Sequence, residues 1–226
     1  ESASSSNGRN IDLTRIQDTV GLLSGAELAT GRYTGVRLRH ADSGAYVSRS
    51  DGGVAAIQIS ELQSFADIDI DLGESDEADL VLTLELPFSL IDRVNENGSF
   101  ELRPFLRAVR PEDGGHVEGS VDIELLRSAE CRQERQTGEG VAVYAYEGRN
   151  VQPTGFQIGH FGPLASAAVE RGSSDTDFRY RIRHLPHGGY TIALSCEADR
   201  DDPRTADGIR FLRSQNVSID RESTRS

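Results

Sequence analysis

The sequence predicts an all-β protein that consists of two antiparallel β-sandwich domains in tandem. Three observations support this prediction. Short runs in which apolar and polar residues alternate recur along the 226-residue chain, as expected of strands with one buried face. The chain contains 23 glycines, which favour turns and short elements. Neither half of the sequence has the apolar period of a long amphipathic helix.

In the first half, strand signals are separated by recognisable turns. The stretch Gly31–Arg39 alternates, with a slip at Gly35 that indicates a β-bulge. The runs Ala45–Val47 and Val54–Ile59 flank an Asp-Gly-Gly turn, which predicts a hairpin. A further strand is predicted at Ala78–Leu86, where every second residue is leucine, and the proline that follows ends it.

The polar segment 111–116, with the sequence PEDGGH, separates the two predicted domains. We therefore predict a first domain at residues 1–113 and a second at residues 114–226. Strands that recur at short spacing between Gly, Pro and Asp turns are typical of a β-sandwich. In the second domain they are predicted at Val117–Leu126, Gly140–Tyr146, Ala165–Glu170, Phe178–His184, Tyr190–Cys196 and Asn216–Ile219.

The charge of the chain excludes some classes of partner. Thirty-seven acidic residues outnumber 24 basic ones, for a net charge of -13. Nucleic-acid binding needs a basic stripe, and anionic membrane surfaces attract basic segments, so neither partner is expected. An acidic surface serves solubility, or it binds divalent cations.

The two cysteines, Cys131 and Cys196, have no metal-type spacing. In an extracytoplasmic protein such a pair predicts one disulfide, which would stabilise the fold by roughly 4 kcal/mol. The alternative is two unlinked buried thiols.

One acidic segment is a candidate calcium loop. Calcium needs several oxygens around one point, usually from a curved loop, and Pro203 and Gly208 permit curvature. The candidate ligands are Asp199, Asp201, Asp202 and Asp207. In the alternative interpretation, Arg200 and Arg204 neutralise these carboxylates. No other cofactor is expected.

Other polar residues are interpreted as surface groups. Asp67, Asp69 and Asp71 alternate with isoleucines, which predicts a solvated strand face. His184 and His187 flank a Leu-Pro turn, where a surface position is favoured over a two-histidine metal site. The chain contains no G-x-S-x-G, H-E-x-x-H, P-loop or G-x-G-x-x-G motif, and we expect no enzyme activity.

Several segments of the first half form a set that resembles a known family. They are Asn10–Leu13 (NIDL), Leu22–Leu38 (LLSGAELATGRYTGVRL) and Phe100–Val109 (FELRPFLRAV), and Gly119–Val121 (GSV) then opens the next domain, as it commonly does in that family. Over about residues 10–121 the chain resembles bacterial domain-of-unknown-function family 4382, found mostly in lipoproteins and other envelope proteins. Members usually carry further strands upstream, so the first domain is expected to lack its N-terminal strands.

The second half resembles the prealbumin-like, carboxypeptidase-regulatory-like β-sandwich. The residues that carry this resemblance are Pro163–Val169 (PLASAAV) and Phe178–Ile192 (FRYRIRHLPHGGYTI). Modules of this kind are usually accessory: they act as structural braces or spacers, or in adhesion.

Together the resemblances imply a non-catalytic structural or binding protein of the bacterial cell envelope, either an outer-membrane lipoprotein or a periplasmic protein, or a secreted protein. Protein partners or self-association are expected, and membrane contact is expected only through a lipid anchor that this chain does not contain. One alternative is a fibre or surface-layer subunit that assembles by strand exchange at an open N-terminal edge. Another is a carbohydrate-binding or carbohydrate-processing protein, which needs a groove lined by exposed aromatics and paired carboxylates.

Overall fold

The structure, a computed structural model of the chain, describes residues 12, 25, 27–39, 44–48, 52–60, 64–93, 98–131 and 140–220. Strand residues make up 49% and helical residues 10% of the described part of the chain, so the all-β prediction is confirmed. The expectation about N-terminal strands, and most of the matched segments before residue 27, lie outside the described residues.

The described residues form fifteen strands and a few short helical turns. The strands of the first half are β1 (Gly31–Arg37), β2 (Ala45–Ser48), β3 (Val54–Ile59), β4 (Phe65–Leu72), β5 (Val81–Leu84), β6 (Leu90–Arg93), β7 (Ser99–Leu102) and β8 (Leu106–Val109). Those of the second half are β9 (Gly114–Ser120), β10 (Ala142–Glu147), β11 (Ala165–Ala168), β12 (Glu170–Arg171), β13 (Phe178–Pro186), β14 (Gly188–Ser195) and β15 (Phe211–Ile219). The helices are α1 (Leu86–Ser89) and α2 (Ile123–Leu126), with 3-10 turns at Pro111–Asp113, Ala129–Cys131 and Ala198–Arg200.

The strands of the first half form three small sheets. Their orders are β1-β4, β2-β3-β7-β6 and β5-β8. The predicted hairpin is confirmed, since β2 and β3 pair antiparallel, and so is the bulge, since the β1–β4 register shifts between Tyr33 and Gly35. One ladder departs from the predicted antiparallel arrangement: β3 and β7 run parallel, as a long connection between two strands permits.

The second half contains two antiparallel sheets that contribute to one apolar core. Their strand orders are β11-β10-β14-β15 and β12-β13-β9. Alternate residues of β10 and β14, such as Val143 and Ile192, are buried in the same cluster as Phe178 and Ile182 of β13. This alternation is what a pleated strand with a buried face requires.

Strand pairing divides the chain near the predicted boundary. Among the described residues, no ladder joins a strand that precedes Pro111 to a strand that follows Asp113. We call residues 1–113 the first half and residues 114–226 the second half. The arrangement as two sandwich domains stays a prediction.

Two predicted strands are shorter than expected. The strand predicted at Val117–Leu126 ends at Ser120, because Asp122 caps α2: its Oδ1 accepts a hydrogen bond from the backbone N–H of Glu124 at 2.9 Å. The strand predicted at Ala78–Leu86 is limited to β5, because Pro87 lies in the first turn of α1.

The solvated-face interpretation of β4 is confirmed. Asp67, Asp69 and Asp71 are exposed, whereas Ala66 and Ile70 are buried. Within the part of the chain that the structure describes, no helix has the length and apolar character needed to cross a membrane.

Candidate functional site

The two halves of the chain meet at a buried ion pair. Thr83 of β5 lies opposite Arg107 of β8, which brings Glu85, just after β5, beside Arg107. The Arg107 Nη2 lies 2.5 Å from Glu85 Oε1, and Arg107 Nε donates to the same oxygen at 3.0 Å. The two side chains are only 7% and 6% exposed. Because an unpaired buried charge is unfavourable, each side chain depends on the other.

The guanidinium of Arg107 also binds the second half. Its Nη1 donates to the backbone carbonyl of His184 at 2.6 Å, and its Nη2 donates to that of Arg183 at 3.2 Å. The second carboxylate oxygen of Glu85 accepts from the backbone N–H of Ser166 at 3.4 Å. We call this set, formed by Glu85, Arg107 and their backbone partners in β11 and β13, the Arg107 clamp.

The clamp contacts β13 where its backbone is irregular. The register of β13 with β9 shifts between Ile182 and Leu185, and His184 has a φ of 53°. This left-handed conformation is uncommon for a residue with a side chain. Burial lowers the pKa of the His184 imidazole, and the charges of Arg107 and Arg183 act in the same direction. The half-buried His184 therefore lies at the junction of the halves, rather than in a surface turn.

An aromatic cluster extends the same junction. Phe88 of α1 stacks on Phe156 of the second half, with ring centroids 4.4 Å apart and planes at 9°. Phe105 packs edge-on against both rings, at 5.8 Å and 5.0 Å, and Tyr144 of β10 completes the stack at 6.0 Å from Phe88. Phe88, Tyr144 and Phe156 are each at most 5% exposed, so the halves share a dry apolar contact.

Asp201, a predicted calcium ligand, holds the Phe156 backbone. Both oxygens of its carboxylate lie 3.1 Å from the Phe156 backbone N–H, which donates to them, and the Tyr144 hydroxyl is a further hydrogen-bond partner. Burial raises the pKa of Asp201 to about 6 against these hydrogen bonds, and the charges of Asp207 and Asp202 also raise it. Burial likewise raises the pKa of Tyr144.

The neighbouring aspartates Asp202 and Asp207 bind groups within the same loop. Asp207 Oδ2 accepts from the Asp202 backbone N–H at 2.6 Å. Asp202 binds the Arg204 guanidinium at 2.7 Å, and this pairing lowers the pKa of Asp202. The Arg-paired alternative is thus observed for Asp202, whereas Asp199 is exposed beside the groove described below.

The described residues contain no group of three or more His, Cys, Asp or Glu side chains arranged to hold a metal ion. The four aspartates of the proposed calcium loop are all among them. The geometry of the loop therefore adds no support to calcium binding, which stays a prediction.

The two cysteines lie at disulfide distance. The Cα atoms of Cys131 and Cys196 are 5.3 Å apart, and their sulfur atoms are adjacent. Cys131 ends the 3-10 turn after α2, and Cys196 follows β14, so a bond here links the turn to the central strand pair of the larger sheet. Both residues are buried in the core of the second half.

A groove of about 460 Å³ lies beside the junction. Its lining is mostly small and apolar, and includes Pro87 of the first half and Ala142, Ala168 and Ala198 of the second. Its aromatic residue is Tyr144, which is only 1% exposed. The described large aromatics that are exposed, Tyr46, Phe65 and Phe161, do not line it. The groove therefore lacks the aromatic platform that the carbohydrate hypothesis requires.

Comparison of the chain with protein-family models, with curated proteins and with solved structures finds no match. The two family resemblances drawn from short motifs therefore stay predictions.

Sequence reasoning missed the main polar feature of the junction. Glu85 and Arg107 are separated by 22 positions and their partners in β13 by a further 76 or 77. One signal was present in the sequence: each is a charged residue inside an otherwise apolar segment, ELPF and FLRAV, and buried charges are usually paired.

Proposed function

We propose that the chain is a non-catalytic structural or binding protein of the bacterial cell envelope, or a secreted one, that holds two packed β units in a fixed relation. The Arg107 clamp is the observation that supports this proposal. Its ion pair is buried, and its donors reach backbone carbonyls of the other half. Directional, charge-assisted hydrogen bonds of this kind fix geometry more closely than apolar contact alone.

The shared aromatic cluster supports the same proposal. Phe88 and Phe105 of the first half pack with Phe156 of the second. Junctions that move are generally polar and modest in area, whereas apolar junctions hold domains together. A rigid junction between the two halves suits a protein that holds other components at a fixed distance or displays a binding surface.

The cysteine pair supports an extracytoplasmic location. Cys131 and Cys196 are within disulfide distance, and structural disulfides persist mainly in oxidising compartments. The resemblance of the first half to an envelope family points to the same place.

Fractionation of the source cells tests the proposal. Each fraction is probed with an antibody against the chain, denatured so that the buried cysteines are accessible, and treated with a thiol-labelling reagent before and after reduction. We expect the protein in the envelope fraction or the medium, with Cys131 and Cys196 labelled only after reduction. Recovery from the cytoplasm with both thiols labelled at once would contradict the proposal.

A second candidate function is self-assembly by strand addition, and β15 favours it. This strand has nine residues and lies at one edge of its four-stranded sheet. Its sequence, FLRSQNVSI, contains no proline and one charged residue, Arg213, whereas prolines and charged side chains are the usual protections of an edge strand. The N-terminal edge first considered for strand exchange lies mainly outside the described residues.

Light scattering over a concentration series tests self-assembly. We expect growth of the apparent mass with concentration, and its loss in Gln215→Lys, which places a charge on the exposed middle of β15. Ser173→Lys, in an exposed bend elsewhere, is the matched control for the added charge. A monodisperse monomer at the highest concentration would exclude this candidate.

A further inference from the structure

The bulge in β13 has an unusual conformation at its second residue. Ile182 lies opposite Val117 of β9 and Leu185 lies opposite Gly115, so Arg183 and His184 together face the single residue His116. A bulge of two residues against one ordinarily has its first residue near the right-handed helical region and its second extended. Here His184 has a φ of 53°, a left-handed value that is uncommon for residues other than glycine, although histidine, like asparagine and aspartate, adopts it more often than other side chains do.

Contacts from the first half account for this conformation. Arg107 donates to the carbonyls of both bulge residues, Arg183 and His184. One guanidinium can bind two successive carbonyls only where the backbone turns both toward it. Its charge makes these bonds stronger than bonds between neutral groups, so they offset the unfavourable left-handed φ.

A continuation of the β9–β13 ladder binds the chain that follows the bulge. The backbone N–H of His187 donates to the carbonyl of Asp113 at 3.1 Å. Leu185, between these two contacts, is fully buried in the core of the second half. The core and the ladder therefore fix the register of β13 after the bulge, while Arg107 acts on the backbone just before Leu185.

We propose that the β13 bulge is a conformational device set by the first half. With the Arg107 clamp closed, His184 is held in the left-handed region. When the hydrogen bonds from Arg107 to the carbonyls of Arg183 and His184 are broken, His184 returns to an extended φ, and Leu185 keeps its place in the core. The conformation of residues 184–189, where the chain passes from β13 to β14, thus depends on whether the two halves are docked, which is a property beyond the proposed function.

Nuclear magnetic resonance of the full chain tests the proposal directly. The three-bond HN–Hα coupling and the Cα and Cβ shifts of His184 report the sign of its φ. In the unmodified protein we expect left-handed values. In Arg107→Lys, and in the paired variant Glu85→Gln with Arg107→Met, we expect values that move to those of extended backbone. Left-handed values that persist in both variants would overturn the proposal.

A substitution cycle provides an independent thermodynamic test. Valine disfavours the left-handed region strongly, so His184→Val should lower the folding equilibrium constant about tenfold when the clamp is intact. In either clamp variant the same change should have little effect or stabilise the protein, since valine suits an extended strand. The control is Arg181→Val, two residues before the bulge in β13, which should have the same effect in all backgrounds. Equal effects of His184→Val with and without the clamp would contradict the proposal.

The proposal remains testable if the clamp variants do not fold. In the otherwise unmodified chain, stability should then follow the order His184→Gly, unmodified protein, His184→Val, from highest to lowest, because glycine accepts a positive φ freely. The opposite order would show that His184 is not held in the left-handed region.

Discussion

Arg107 and Glu85 form an ion pair that is buried from solvent at the junction of the two halves, with Nη2 and Oε1 2.5 Å apart. Removing one partner leaves the other as an uncompensated buried charge. We therefore expect Arg107→Ala and Glu85→Ala each to lower the free energy of unfolding by about 3–5 kcal/mol, measured by urea denaturation.

Two control variants distinguish the effect of leaving one buried charge unpaired from the effect of losing an ion pair as such. The paired variant Glu85→Gln with Arg107→Met removes both charges, and it should be less destabilised than either single variant. Arg32→Ala breaks the solvent-exposed pair with Asp69 and should have little effect. If Arg107→Ala were as mild as Arg32→Ala, the clamp would not hold the junction.

Phe156 provides a test of the shared aromatic cluster. Phe156→Ala removes a ring that stacks on Phe88 at 4.4 Å, and such a loss from a packed core lowers stability by about 3–5 kcal/mol. Phe161→Ala is the matched control, since Phe161 is 75% exposed, and it should change stability by less than about 0.5 kcal/mol. Both values are measured by thermal and urea unfolding, and similar losses in the two variants would argue against the cluster.

Gly155 is predicted to tolerate no side chain. A Cβ at this position would lie 2.6 Å from Asp201 Oδ1 and 3.1 Å from Asp207 Oδ1, so one carboxylate must move. We expect Gly155→Ala to destabilise the protein by about 1–3 kcal/mol. Gly162→Ala is the control, because its Cβ would meet no atom closer than 3.6 Å. Equal melting temperatures for the two variants would contradict this prediction.

The raised pKa of Asp201 predicts a specific dependence of stability on pH. Its ordinary pKa is 3.8 and its folded pKa is about 6, so the folded chain binds the proton more tightly than the unfolded chain. The protonated Asp201 carboxyl therefore stabilises the folded chain relative to its ionised form. This contribution to the free energy of unfolding is complete below pH 4 and is lost as the pH rises through 6. Asp201→Asn keeps an acceptor for the Phe156 N–H but carries no charge.

We therefore expect Asp201→Asn to be more stable than the unmodified protein at pH 8, and the difference to shrink toward pH 4. Melting temperatures across this range measure the difference. Asp175→Asn, at a largely exposed position, is the control. A variant that is less stable at pH 8 than the unmodified chain would show that the Asp201 charge is favourable.

A bond between Cys131 and Cys196 closes a loop across a sequence separation of 65 residues. Non-reducing mass spectrometry should detect no free thiol. Reduction should lower the free energy of unfolding by about 4 kcal/mol, measured by urea denaturation with and without reductant. Two free thiols in the untreated protein would exclude the bond.

Elements governed by local pattern could be predicted from the sequence. The β2–β3 hairpin and the bulge at Gly35 are examples, because alternation and turn residues lie within a few positions of one another. The strand predicted to continue to Leu126 was wrong in its last part, since the capping action of Asp122 outweighed the apolar run that follows it.

The junction could not be predicted in the same way. The partners of Arg107 in β13 are 76 and 77 residues away, and such contacts depend on how the sheets pack.

The acidic loop illustrates a second difficulty. Asp201, Asp202 and Asp207 are close in sequence, yet Phe156 and Tyr144, which bind Asp201, belong to other segments. The spacing of the aspartates predicted a calcium loop, which stays a prediction, but it could not show that Asp201 binds the Phe156 backbone N–H or that Asp202 pairs with Arg204.

The clamp and the aromatic cluster bear on where the chain can be divided. A cut between residues 113 and 114 severs no strand ladder among the described residues. It would nevertheless expose Phe88 and Phe156 to water and separate Arg107 from its carbonyl partners. An isolated piece ending at Asp113 would thus keep the Arg107–Glu85 pair but expose an apolar patch beside it, and exposed apolar patches promote aggregation.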